Sequence, residues 1–253
     1  MDRAALDAAY NNGAAVANSA QIAAGWRTRS DRFRISNTRQ LDLQYGNKER
    51  NRIDLFEAGE TAPLLVFIHG GYWQMRDKET FSCMAEGPLA HGISVALVGY
   101  TLAPEIRLDE IVSEIRSALG FLNRKLFVSG WSAGGHLTAM VMDHPNVVGG
   151  LAVSGIYDLE PMRLCYINDK LKLDEDEARR NSPVAIPDPG KPLAIAYGKK
   201  ELPEMQRQSE IFFAARKRAT LLPLPGHDHF TILEELASPE GALTAALRTL
   251  MKG

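Results

Sequence analysis

The stretch 126–137, LFVSGWSAGGHL, decides how the chain is read. It joins an apolar, β-branched run to a helix-like segment through one serine, Ser132, set between small residues. A serine at a sharp strand-to-helix turn is displayed as a nucleophile. Its neighbours must be small because strand and helix nearly touch there. A G-x-S-x-G match is weak on its own. It gains meaning only if the rest of the chain supplies a base, an acid and backbone donors in a compatible order.

Outward from that turn, short apolar runs alternate with helix-period segments. Runs 63–70, 93–100, 125–131, 147–158, 192–198 and 219–226 each read as a buried strand. In 108–122, Leu108, Ile111, Val112, Ile115, Leu119 and Leu122 recur at helical spacing, with Asp109, Glu110, Glu114 and Arg116 on the other side. Alternating buried strands and helices predict an α/β fold: a mostly parallel central sheet with helices on both faces. Segments 39–46 and 51–59 alternate polar and apolar residues around NKER and predict a hairpin at the sheet edge. Residues 1–30 are Ala-rich and predict an N-terminal helical arm. Segment 159–190 is charged and Pro-containing and follows a strand, so it predicts a lid-like insertion over the rim where open α/β sheets bind ligands. No repeat or linker-like break interrupts 1–253, which predicts one domain.

Composition narrows the function classes. The chain has 253 residues, a formal net charge of −2, 45% hydrophobic and 24% charged residues. Near-neutral charge gives no reason to expect nucleic acid or an anionic membrane as a partner. No apolar run approaches the roughly 20 residues of a membrane span. The N-terminus lacks the basic start and compact apolar core of a secretory signal, and the two cysteines, Cys83 and Cys165, form no framework or metal-ligand cluster. These features predict a cytoplasmic protein with a small-molecule substrate, no metal and no cofactor. If it oligomerises, a two-fold homodimer is the commonest arrangement.

Serine is a poor nucleophile without a base. In this strand–turn–helix setting the triad runs serine, acid, histidine along the chain. Of six histidines, His69 and His91 precede Ser132, and His136 and His144 follow it too closely. His227 and His229, in GHDHF after the last predicted strand, remain; His229 is preferred, with His227 as alternative. Glu201 is the first carboxylate after the strand 192–198 and is the preferred acid. Asp158, after AVSGIY, competes for that role and otherwise reads as a turn residue. Glu204, one turn beyond Glu201, reads as solvent-facing. HGGYW, 69–73, follows the third strand and supplies glycine backbone that can approach an oxyanion. The predicted donors are the N–H of Gly71, of Tyr72 or Gly70, and of Ala133. His69 reads as a brace for this loop. Tyr72 and Trp73 read as an aromatic substrate wall, with core packing an equal reading for Trp73. Trp131 reads as packing below the turn.

These pieces together resemble an α/β-hydrolase of the esterase/lipase branch with an HGG oxyanion loop. YTLAPE, 100–105, is similar to that branch's Y-R-L-A-P-E. More closely, the chain resembles the kynurenine formamidases (arylformamidases) in HGGYWQ (69–74), GWSAGGHL (130–137), SGIYDLEP (154–161), LKLDEDEARRNSP (171–183), ELPEMQRQS (201–209) and HDHFTILEEL (227–236). LDAAYNN (6–12) is similar to that family's N-terminal arm, so the likeness runs over nearly the whole chain. The resemblance implies Ser132 as nucleophile, His229 as base and Glu201 at the acid position, where the family often has Asp. It also implies hydrolysis of N-formyl-L-kynurenine through a formyl-serine. A general carboxylesterase acting on small acyl esters would use the same machinery with a different pocket. A non-catalytic binding module would not need the complete set.

Overall fold

A computed structural model describes residues 2–37 and 39–252. Its centre is one eight-stranded sheet. Strand β1 spans Arg39–Gln44, β2 Arg52–Phe56, β3 Leu64–Ile68, β4 Ser94–Val98, β5 Leu126–Trp131, β6 Val147–Val153, β7 Leu193–Gly198 and β8 Ala219–Leu224. The spatial order is β1-β2-β4-β3-β5-β6-β7-β8. β1 pairs antiparallel with β2, and β2 antiparallel with β4; all remaining pairs are parallel. The expected edge hairpin and mostly parallel sheet are both present.

Alternation along the strands divides the core. Leu64, Val66 and Ile68 pack on one face of β3, Leu65 and Phe67 on the other. The first face is covered by α3 (Leu108–Phe121), α4 (Ala133–Met140) and α5 (Pro203–Ala214), the second by α2 (Ser19–Ser36) and α6 (Ala242–Lys252). Trp26 and Phe33 of α2, with Leu243 and Leu247 of α6, fill the second layer. Strand β8 carries Pro223 opposite Tyr197 and is only partly buried. A proline that cannot donate to a ladder is tolerated because this strand lies at the sheet edge.

The N-terminal arm extends further than expected, since its last helix runs to Ser36. Its first helix, α1 (Arg3–Ala9), lies near α5: the Tyr10 hydroxyl donates to Glu204 Oε1 at 2.7 Å. Glu204 is therefore 7% exposed rather than solvent-facing. Sequence gives no warning of a partner 194 residues away. Segment 159–190 contains three short helices, Glu160–Arg163, Asn168–Leu171 and Glu175–Arg180. It is tied to the HGGYW loop by a 2.7 Å hydrogen bond from Gln74 Nε2 to the Ile167 carbonyl. No helix among the described residues is long and apolar enough to cross a membrane.

Candidate active site

The turn between β5 and α4 holds Ser132 at φ 59°, ψ −117°. A non-glycine residue there costs about 1–3 kcal/mol and persists only when its surroundings over-determine it. Two hydrogen bonds do so: Ser132 N–H donates to the Val153 carbonyl at 2.9 Å, and the Ser132 carbonyl accepts from His136 N–H at 3.1 Å. Gly134 lets α4 start directly against β3. A Cβ built there would lie 1.9 Å from the Ile68 carbonyl oxygen, a backbone atom inside a parallel ladder. Gly134→Ala is expected to destabilise the fold by about 3 kcal/mol or more, at the upper end of overpacking costs. Urea denaturation checks this; a loss below about 1 kcal/mol would mean that helix and strand can separate cheaply.

The three candidate triad residues meet. His229 Nε2 lies 3.1 Å from Ser132 Oγ, and His229 Nδ1 lies 2.9 Å from Glu201 Oε2. In the arrangement this geometry suits, Nδ1–H donates to the carboxylate and Nε2 accepts from the serine hydroxyl. Ser132, His229 and Glu201 are 2%, 3% and 5% exposed, so little water competes for these hydrogen bonds. Glu201 follows β7 directly. Its second oxygen, Oε1, accepts from the Gly198 N–H and the Ser154 hydroxyl, both at 2.6 Å. Ser154, at the C-terminal end of β6 with φ +50°, went unnoticed in the sequence. Its place after a strand end was the available signal.

The rejected alternatives have other employment. Asp158 Oδ1 accepts from Glu160 N–H at 3.2 Å and shapes its own turn. His227 Nε2 lies 3.2 Å from Glu235, away from Ser132. Asp228 between the two histidines accepts from the N–H groups of Phe230 and Thr231, each at 2.9 Å. That turn, with Trp131 Nε1–H donating to the His229 carbonyl at 2.7 Å, fixes the backbone of His229. Trp131 is thus more than packing below the turn: its ring centroid lies 5.0 Å from that of His229.

The HGGYW loop curls tightly. Gly71 has φ +118°, and its carbonyl accepts from the N–H groups of Gln74 (2.9 Å) and Met75 (3.1 Å). A side chain at Gly71 would meet the Met75 carbonyl at 2.3 Å. The N–H groups of Gly71, Tyr72 and Ala133 donate to no protein acceptor among the described residues. The Gly70 N–H is likewise unpaired among the described residues, and Gly70 packs against Trp131 and Ser132, where a Cβ would clash. His69 braces the loop as expected: its ring lies against Tyr100 at 4.3 Å between centroids, Nδ1 lies 2.8 Å from the Gly70 carbonyl, and burial pushes its pKa down to about 4.

The aromatic wall needs correction. Trp73 is fully buried, and its Nε1–H donates to His136 Nδ1 at 3.3 Å. It belongs to the core. Both Tyr72 and Trp73 take positive φ, which turns the chain so that Trp73 points down beside α4. Tyr72 does line the pocket, with its hydroxyl donating to the Tyr10 carbonyl and accepting from Asn12 Nδ2. The pocket above Ser132 measures about 210 Å³, smaller than the roughly 300–1,000 Å³ that drug-sized ligands occupy. Trp131, Ile167 and Phe230 line it with Met75, and Asn12 and Arg76 supply polar groups.

A family model described as BD-FAE matches residues 54–147. A kynurenine formamidase of Salmo salar is 34% identical over 240 residues, covering 83% of this chain and 81% of its own. A crystallised protein from silicibacter sp. tm1040, provisionally named a thioesterase, is 33% identical with a TM-score of 0.91 over 96% of this chain and 98% of its own. An esterase from Pyrobaculum calidifontis reaches a TM-score of 0.73 over 94% of this chain and 95% of its own at 17% identity, which carries the fold alone. The fold is that of the α/β-hydrolases.

Proposed function

Because the chain belongs to the kynurenine formamidase family, we propose that it hydrolyses the formamide of N-formyl-L-kynurenine to kynurenine and formate, with Ser132, His229 and Glu201 as its triad. The observation that carries this reading is the hydrogen-bonded line Glu201–His229–Ser132, opening onto a small, mostly apolar pocket beside unpaired backbone N–H groups.

Ser132 Oγ attacks the formyl carbon while His229 Nε2 takes its proton. The carbonyl oxygen becomes an oxyanion, held by the N–H groups of Gly71, Tyr72 and Ala133. Glu201 stabilises the imidazolium without taking its proton. His229 then gives that proton to the departing aryl nitrogen as the C–N bond breaks, leaving formyl-Ser132 and kynurenine. A water, deprotonated by His229, attacks the formyl ester; collapse releases formate and returns the proton to Ser132. The formyl group needs little room beside the oxyanion donors, which suits a site this small. Aromatic and aliphatic side chains wall the space left for the aryl leaving group.

The test compares kcat/KM for N-formyl-L-kynurenine with that for p-nitrophenyl acetate. The formamide is expected to lead by about 100-fold or more, because a pocket fitted to one polar leaving group discriminates strongly against one lacking it. Turnover of the ester alone would make this a general carboxylesterase on the same machinery.

A further inference from the structure

The pocket contains one cation that the triad does not use. Arg76 lines it together with Ser132 and His229. Its guanidinium lies 5.8 Å from the Trp131 ring centroid, and it forms no salt bridge or side-chain hydrogen bond among the described residues. The neighbouring Asp77 is committed elsewhere, to Arg27 at 3.2 Å and to Thr80 at 2.7–2.9 Å. Half-buried without an anion at hydrogen-bond distance, the guanidinium is held below its ordinary pKa by desolvation. Its backbone is constrained as well. Arg76 has φ +74°, and its carbonyl accepts from the Arg50 guanidinium. Strain maintained by a second arginine is a positioning device for the residue that bears it.

We propose that Arg76 binds the α-carboxylate of the substrate's leaving group, so this end of the pocket selects a leaving group that carries a free carboxylate. An unpaired donor fork in the pocket matches such an anion, because a guanidinium binds a carboxylate through two parallel hydrogen bonds. The inference rests on the formamidase reading and adds to it the residue that selects the leaving group.

The experiment compares N-formyl-L-kynurenine with its α-carboxamide in the wild type, Arg76→Gln and Arg76→Lys. The wild type is expected to prefer the acid by about 30-fold in kcat/KM, the value of one charge-assisted pair. Arg76→Gln should bring that ratio close to one, and Arg76→Lys should keep part of it by keeping the charge. An equal loss on both substrates in Arg76→Gln would make Arg76 a brace of the loop and overturn the inference. A wild type that hydrolyses both without preference would also overturn it while the formamidase reading stands. Turnover of neither formamide would remove that reading and the inference together.

Discussion

Ser132→Ala is expected to lower kcat/KM for N-formyl-L-kynurenine by about 10⁵- to 10⁶-fold, or roughly 7–8 kcal/mol of transition-state stabilisation. The size follows from what the hydroxyl does: without Oγ there is no acyl-enzyme, and neither base nor backbone donors can act on a covalent intermediate. The effect should be confined to chemistry. Alanine keeps the Cβ, so the strain at φ 59° is unchanged, and the hydrogen bonds of Ser132 N–H and carbonyl remain. Stopped-assay kinetics beside a thermal melt make the check. Activity within tenfold of wild type would remove Ser132 from the mechanism. The residual rate is informative too, because it reports what the oxyanion donors and pocket achieve with water as the nucleophile.

The second large effect is expected at the acid. Glu201→Gln preserves shape but not hydrogen-bond sense. Glu201 Oε1 accepts two donors, Gly198 N–H and the Ser154 hydroxyl, each at 2.6 Å. The backbone N–H cannot be reversed, so the amide oxygen of glutamine must take that position. Its NH2 group then faces His229 Nδ1, which must become the acceptor. The proton moves to Nε2, and the imidazole can no longer receive one from Ser132. A wrong tautomer in an intact geometry costs about 10⁴-fold in kcat. Asp158→Asn, changing a turn residue, should stay within about threefold of wild type. If these two results were exchanged, the acid would be Asp158 and the observed pairing of Glu201 with His229 would be incidental.

The line Glu201–His229–Ser132 was legible because its parts are local. The strand–Ser–helix turn, the glycine loop and the histidine after the last strand each announce themselves within ten residues. Which side of a loop a side chain takes was not legible. After Gly71 the backbone stays at positive φ through Tyr72 and Trp73, and that curl sends Trp73 into the core against His136 while Tyr72 stays at the pocket. Strand periodicity cannot encode such a reversal. The remaining omissions were contacts between distant segments. Ser154 meets Glu201 across 47 residues, Asn12 meets Tyr72 across 60, and Glu204 is buried by Tyr10. Each of these residues is ordinary in its own neighbourhood and acquires its role only when the sheet brings two loops together.

Sequence separation within the site also bears on synthesis. Ser132 and His229 lie 97 residues apart, and the pocket also takes residues 11–13 from the start of the chain. On a ribosome the serine turn can form once β5, β6 and α4 have emerged, but its base arrives only after the last strand. Until then the serine has no proton acceptor. A nascent chain that ends before His229 therefore displays the Ser132 hydroxyl without its imidazole partner, and the hydrogen-bonded line is complete only once the segment after β8 has been added.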